Sequence, residues 1–298
     1  MRTHKLASLA LAVSAAFSTS ILAQEAETIQ KKETALEQIT VTAQKRTQSI
    51  QEVPISVATL SGEKFESLFS GGEDILALAV RVPGLYAESS NGRVAPRFYI
   101  RGLGNTDFDL AASQPVSIIM DEVVMENVVL KSFPLFDVQQ VEVLRGPQGT
   151  LFGRNTTAGI IKFDTVKPTQ DLEGYAKAGF GSYGTMNFEG AVGGGLTDEL
   201  SARLSVLSQE RDDYIDNAAT GQKDALGGFD EKAYRLQLLW EPSDDFSALL
   251  NVHGRELEGT ASIFRGNVFN KGENGLNASY DRDTVSYDSD LLGTGADN

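Results

Sequence analysis

"VEVLRGPQGTLFGRN", residues 141–155, starts with the alternation of a β-strand and then breaks into three glycines, a proline and two arginines. Two structures require such a stop. A βα phosphate cradle uses glycines so that backbone amides can approach an anion closely. A rigid corner in a domain packed inside something else uses them for backbone angles closed to other residues. Here Gly146 and Gly149 would supply those angles, while Pro147 fixes its φ and removes an N–H that would need a partner. The rest of the chain decides between the two.

The 298 residues are 41% hydrophobic and 22% charged, ordinary values for a folded protein with room for two domains. The start is not ordinary. Arg2, His4 and Lys5 precede the apolar run "LASLALAVSAAF" (6–17), and small residues follow as far as Ala23. This is the pattern of a secretory signal peptide over residues 1–23, and the run is too short for a spanning helix, which needs ~20 apolar residues. There is no cysteine, so an exported chain has no disulfide framework and rests on ordinary burial or on a membrane. Of two histidines, His4 leaves with the signal, and His253 alone supports neither a zinc nor a copper site; no metal and no cofactor is expected. Loss of Arg2 and Lys5 takes the net charge from −15 to −17, which excludes nucleic acid as a partner. The densest later apolar run, "DILALAV" (74–80), reads as a short buried helix, so any crossing of a membrane must be made by strands.

Residues 24–48 read as a flexible leader, polar and charged to residue 38. Within it, "ITVTA" (39–43) favours extended backbone, with Ile39 and Val41 on one face and Thr40 and Thr42 on the other. It is either a tethered strand whose backbone is open to a partner's sheet edge or the first strand of the next domain. Residues 49–168 read as mixed α+β. The elements are a strand at 53–60, a helix "GEKFESLF" capped by Ser61, a helix within 71–84 that stops at Val82-Pro83-Gly84, and strands at 97–102, 116–124, 139–146 and 159–163. Long polar connections at 89–96 and 102–115 are where ligand contacts are expected, with Arg93, Asn105, Asp107, Phe108 and Asp109 as candidates.

After Pro168 the texture changes to amphipathic strands of the length a tilted membrane strand requires. "LSARLSVL" (200–207) sets Leu200, Ala202, Leu204 and Val206 against Ser201, Arg203, Ser205 and Leu207. "YRLQLLW" (234–240) and "FSALLNVHG" (246–254) repeat the scheme, with Tyr234 and Trp240 placed at the two ends of their strand as interfacial aromatics. Two weaker strands precede them near 172–182 and 186–195. About five strands fit, against ~8 in the smallest transmembrane barrels, so the chain reads as truncated within a barrel.

Together "ITVTAQKR" (39–46), "YIRGLG" (99–104), "VEVLRGPQGTLFGRNTTAG" (141–159) and "VKP" (166–168) resemble the TonB-dependent receptors of the outer membrane. The long middle motif is the specific one. The resemblance implies an α+β plug domain over 49–168, followed by the opening strands of a transmembrane antiparallel β-barrel over 169–298. It implies a TonB box at Ile39, Thr40, Val41, Thr42 and Ala43. It implies a plug motif of Arg101, Gly102, Glu142, Arg145, Gly146, Pro147, Gly149, Gly153, Arg154 and Asn155. The implied place is the cell outer membrane of a Gram-negative bacterium. The implied activity is TonB-dependent uptake of a chelated nutrient, by default an iron–siderophore complex, with oligosaccharide or vitamin B12 as alternatives and a non-transporting binding or structural barrel as a second alternative. The implied partners are TonB with its inner-membrane energising complex, outer-membrane lipid and an extracellular chelate or glycan. Two positions depart from the family pattern. Many relatives have Asp-Gly where this chain has Asp121-Glu122, and an asparagine where Lys162 stands, facing either lumen water or a barrel acid.

The opening stretch is then a corner. A Walker cradle ends in Gly-Lys-Ser/Thr, whereas Gly153 is followed by Arg154-Asn155, and export removes the chain from cytoplasmic nucleotide. Arg145 and Arg154 are expected to face acids on the plug or inner wall, with Glu142 as a local partner, docking the plug by charge-assisted hydrogen bonds and without a greasy interface. An enzyme is not expected: neighbours Asp121 and Glu122 on a strand would point to opposite faces, and one imidazole cannot complete a nucleophile, base and orienting group. A transcription-signalling receptor would need a folded domain before the box, where only polar residues 24–38 are expected.

Overall fold

The computed structural model describes residues 39–42, 44–105, 107, 109, 112–261, 263, 265, 268–287 and 293–297. The expected signal peptide, the leader up to residue 38, Ala43 and Phe108 lie outside the described residues. Two units are distinguished. One holds Ile39–Thr40 and Gln48–Glu52, where the Ile50 N–H donates to the Ile39 carbonyl at 3.0 Å. The other holds Val41–Thr47 and everything from Val53 onward. Strand β1 (Thr40–Val41) straddles the division, and β2 (Gln48–Ser49) falls in the smaller unit.

The plug follows as β3 (Ser56–Ser61), α1 (Gly62–Phe69), a 3-10 turn (Ile75–Ala77) leading into α2 (Leu78–Arg81), β4 (Leu85–Glu88), β5 (Arg97–Ile100), β6 (Val116–Met120), β7 (Val123–Met125), β8 (Val138–Arg145), α3 (Gly149–Phe152) and β9 (Gly159–Thr165). Five of these strands form one sheet in the order β3-β8-β9-β6-β7, with β6 and β9 parallel. β6 and most of β9 are buried on both faces, as Val116, Ile118, Ile119, Ile160, Ile161 and Phe163 require, with the polar Ser117 and Lys162 buried among them. The core gathers Ile118, Val143, Ile161 and Phe163 from the sheet, and Phe65 of α1 packs onto it.

Several expectations need correction. Ser61 has the extended backbone of a helix N-cap, but its side chain makes no capping hydrogen bond. The single strand expected over 116–124 is a hairpin, because Asp121 and Glu122 both take left-handed angles (φ 45° and 70°) and turn β6 back as β7. These two acids therefore sit on a turn rather than along a strand. In the 141–155 corner, Gly149 is the first residue of α3, and the left-handed positions are Gly146 (φ 101°), Gly153 (φ 78°) and Asn155 (φ 63°).

The second half contains β10 (Glu173–Phe180), β11 (Met186–Thr197), β12 (Leu200–Arg211), β13 (Ile215–Asn217), β14 (Gln222–Leu226), β15 (Phe229–Ser243), β16 (Phe246–Thr260), β17 (Thr284–Val285) and β18 (Gly293–Asp297), of which β10, β11, β12, β15 and β16 form a curtain of long antiparallel strands. Its main sheet runs β10-β11-β12-β15-β16-β18. β13, β14 and β17 form a separate small sheet with its own cluster of Ile215, Leu226 and Val285. Each wall strand has one apolar face. Val192, Leu204, Leu236 and Val252 are directly paired neighbours across β11, β12, β15 and β16, and all four are exposed. The opposite face carries Arg203, Ser205, Arg235 and Gln237, buried against the plug. Because β15 extends over Phe229–Ser243, Tyr234 lies inside the strand rather than at its end, while Trp240 lies near the end, edge-on to Phe246. Two-residue turns at 198–199 and 244–245 close one end of the curtain, and connections at 212–228 and 261–292 leave from the other.

Candidate functional site

Three places within the larger unit could do work: the seam between plug and wall, a cavity at the end where the long connections leave, and the docked segment after Val41. The seam is polar at its centre. Asp137, at the start of β8, receives Arg203 of β12 in a fork of two 2.7 Å hydrogen bonds, and also the Ser205 hydroxyl. Arg235 of β15 donates to the carbonyls of Phe136 and Asp137 and stacks over the Phe136 ring. Further along, Gln237 donates to the Thr165 hydroxyl at 2.8 Å, Asn251 to Asp121 at 3.1 Å, and Arg255 to the Ser132 hydroxyl at 2.7 Å. Charged groups so dehydrated are tolerable only because each is hydrogen-bonded, Arg203 to a carboxylate and Arg235 to backbone carbonyls. The seam is not wholly polar, however. Leu207 and Ala233 turn inward and join the plug's apolar cluster, which amends the expectation of an interface free of apolar contact.

The cavity, about 900 Å³, is lined by plug residues 71–74 and Arg93 and by the upper ends of the wall strands and their connections. Its sides carry guanidinium groups laid on rings: Arg93 over Phe229 at 4.1 Å, Arg211 over Tyr214 and Phe229, and Arg265 over Tyr280. Tyr183 stacks on Tyr214 at 4.2 Å. Arg93 is held by the Gly72 carbonyl and Gln209, and its Nε lies 2.8 Å from Glu231 Oε2 without hydrogen-bond alignment. Burial raises the carboxyl pKa of Asp74 on the same floor. Such a chamber offers flat π faces and cationic edges to an anionic, partly aromatic guest.

Of the sequence candidates for ligand contact that lie among the described residues, Arg93 alone lines this chamber. Asn105 and Asp107 spend side-chain atoms on their own loop, Asn105 Oδ1 accepting from the Asp107 N–H and Asp107 Oδ1 from the Asp109 N–H. The two aspartates face a separate pocket of about 100 Å³ beside Arg97 and Gln114. Arg211, Tyr214, Phe229 and Tyr280 are not among the sequence candidates, because they lie on the wall strands and their connections and not on the plug loops. Their signal was the cluster of aromatic and arginine residues at the strand ends.

At the segment after Val41, the Thr42 N–H donates to Glu142 Oε1 at 2.6 Å. The Thr42 hydroxyl accepts from Lys162 Nζ at 2.7 Å and has its one proton to give either to Asp164 at 2.9 Å or to Glu142 at 3.2 Å. Val41 is only 1% exposed. Glu142 and Lys162 are cross-strand neighbours on β8 and β9, both buried, and burial pushes the Glu142 carboxyl pKa up. Burial opposes the Lys162 charge, but Asp164 and Glu122 outweigh it and hold that amine's pKa above its ordinary value. Lys162 thus faces acids of its own domain, where a barrel acid or lumen water was expected.

The other motif residues have local partners. Glu142 serves neither arginine of the corner: Arg145 donates to the Ser56 hydroxyl and Arg154 pairs with Glu126. Arg101 and Gly102 (φ 53° and 79°) make the tight turn that lets Ile100 and Leu103 exchange backbone hydrogen bonds. Among the described residues no group of three or more His, Cys, Asp or Glu could hold a metal ion.

A curtain of membrane-length strands with an apolar outer face, wrapped on a hydrophilic α+β domain, defines a plugged outer-membrane receptor. The comparisons narrow the class. The model of the TonB-dependent receptor plug domain matches residues 49–160. The pesticin receptor of Yersinia enterocolitica is 32% identical over 227 residues, which are 74% of this chain and 32% of that protein. The vitamin B12 transporter BtuB of Photobacterium profundum is 22% identical over 58% of this chain and 28% of its own length. Among solved structures, the ferric yersiniabactin uptake receptor FyuA from Yersinia pestis superposes with a TM-score of 0.63 at 27% identity, covering 70% of this chain and 32% of FyuA. The chain belongs to the TonB-dependent receptors. It spans about a third of the length of the pesticin receptor it matches.

Proposed function

We propose that this chain is the plug and first wall strands of a receptor that takes up a chelated metal, an iron–siderophore complex, across the outer membrane with force supplied by TonB. The short turns at 198–199 and 244–245 face the periplasm, and the long connections, with the 900 Å³ chamber beneath them, face outward. Yersiniabactin, taken up by FyuA as its ferric complex, is a chelate of this kind, and the arginine-on-ring lining suits an anionic one.

One observation carries the reading. Thr42 is hydrogen-bonded directly to Glu142 of β8 and Lys162 and Asp164 of β9, strands at the middle of the plug sheet. A pull on the leading segment therefore loads the sheet itself. The plug's contacts to the wall centre on hydrogen bonds that water can replace, so a shift leaves the plug's sheet intact and parts its apolar cluster at the wall residues Leu207 and Ala233. TonB would take hold of Ile39–Ala43 by strand addition, through main-chain hydrogen bonds.

The test is a proline at Val41 in the intact receptor, which removes a main-chain donor from that segment. We expect uptake of the ferric chelate to fall to the level of a strain lacking TonB while binding at the cell surface is retained. Uptake that survives the proline would defeat the coupling role.

A further inference from the structure

We propose that Glu122 and Lys162 form a clasp over the leading segment and set how readily Val41–Lys45 leaves the plug. The inference rests on reading that segment as the part that is pulled.

Glu122 is the second residue of a two-residue hairpin turn and sits at φ 70°. Glycine takes that angle freely, whereas a glutamate there is strained. A strained residue persists where surrounding contacts hold it. The Glu122 carboxylate has two cationic partners, Lys162 Nζ at 3.2 Å and Lys45 Nζ at 3.7 Å. Lys162 presents the converse puzzle. Its side chain is 1% exposed, and a charge so placed is costly unless it is paired. Its partners are Asp164, Glu122 and the Thr42 hydroxyl.

Each residue is unfavourable by itself, and each supplies what the other lacks. Both converge on the same few residues: Lys162 grips Thr42, and Glu122 reaches Lys45. The two ends are not equal. Lys45 and Glu122 are both nearly half exposed, so water screens that pair and it counts for little, whereas the buried Lys162 end does the holding. The turn is anchored in its own right, because Asp121 accepts hydrogen bonds from Thr165 and from Asn251 of the wall. A displacement of the wall at Asn251 would therefore reach the clasp through one turn.

None of these 298 residues is a cysteine, so Val41→Cys gives this part of the receptor one thiol, buried while the segment is docked, and any cysteine in the rest of the intact receptor is first replaced by serine. Its reaction with a maleimide is followed in purified receptor without cargo or TonB. Relative to that parent, E122G and K162N should each speed labelling, on the order of tenfold for K162N, and E122G should add nothing in the K162N background, because both remove the same pair. Unchanged rates in both, or an E122G effect of equal size with and without Lys162, would overturn the clasp. E122G relieves turn strain and E122Q keeps the side chain's size, so these two decide the matter if K162N fails to assemble. Labelling needs neither TonB nor cargo. Unaltered labelling in a receptor that still imports TonB-dependently defeats the clasp alone, whereas accelerated labelling in one whose uptake ignores TonB defeats the functional reading and supports the clasp.

Discussion

Lys131 shows what a single charge costs inside the plug. It is 3% exposed, and among the described residues its amine's one hydrogen bond, to the Val116 carbonyl, is long at 3.5 Å. Burial lowers its pKa to about 8 from 10.5, with Glu126 opposing the shift. Between those two values the unfolded chain binds the proton that the folded one has lost, so stability rises with pH across that window and is lost as pH falls through about 8. Lys131→Met removes the dehydrated charge. We expect it to stabilise the plug at pH 7 by up to about 3 kcal/mol, an amount that shrinks as pH approaches 10.5. Denaturant unfolding followed over pH 7 to 10.5 reads both slopes, and parallel curves would show that Lys131 is already paired in solution.

At the level of elements, β9 is fixed by its first residue. Gly159 has φ 150°, and a Cβ there would lie 2.2 Å from the Leu144 carbonyl oxygen and 2.8 Å from Ile100 Cδ1. Gly146, one strand away at φ 101°, has nothing within 4 Å of its would-be Cβ. Gly159→Ala should therefore cost about 3 kcal/mol or more and Gly146→Ala only about 1–2 kcal/mol, compared by thermal unfolding of the two variants. Elements of this kind were legible in the sequence. The alternation at 139–146 and 159–163 became β8 and β9, and "GEKFESLF" became α1, because local pattern and tertiary burial agree there. Misreadings arose where geometry is set at a distance. Asp121-Glu122 carries no glycine, so nothing local announced a left-handed turn, and Tyr234 seemed terminal because its strand continues through the less apolar residues 229–233. Pairings were the least legible. Thr42 meets Glu142 a hundred residues away, and Arg203 meets Asp137 sixty-six away, while the nearer acid Glu142 proved to serve neither Arg145 nor Arg154.

Over the whole molecule, the wall must satisfy two media with alternate residues of one strand. Arg203 and Leu204 are neighbours in β12. The first is 4% exposed and forked onto Asp137; the second is 44% exposed in a row with Val192, Leu236 and Val252. A shift of β12 by one residue would turn the guanidinium onto the exposed apolar face and leave the Asp137 carboxylate dehydrated and unpaired, so the polar seam fixes the register of the wall as well as docking the plug. The same change in side chain should then have opposite consequences on the two faces. Leu204→Arg places a charge in the apolar belt and should cost ~2–4 kcal/mol if that row lies near the bilayer midplane, less toward either interface. Folding yield into lipid vesicles, read from heat-modifiable migration of the intact receptor, should drop for Leu204→Arg and hold for Leu204→Val. If Leu204→Arg assembled as well as its parent, the Val192–Val252 row would not be the lipid-facing belt, and the orientation of the curtain around the plug would have to be reversed.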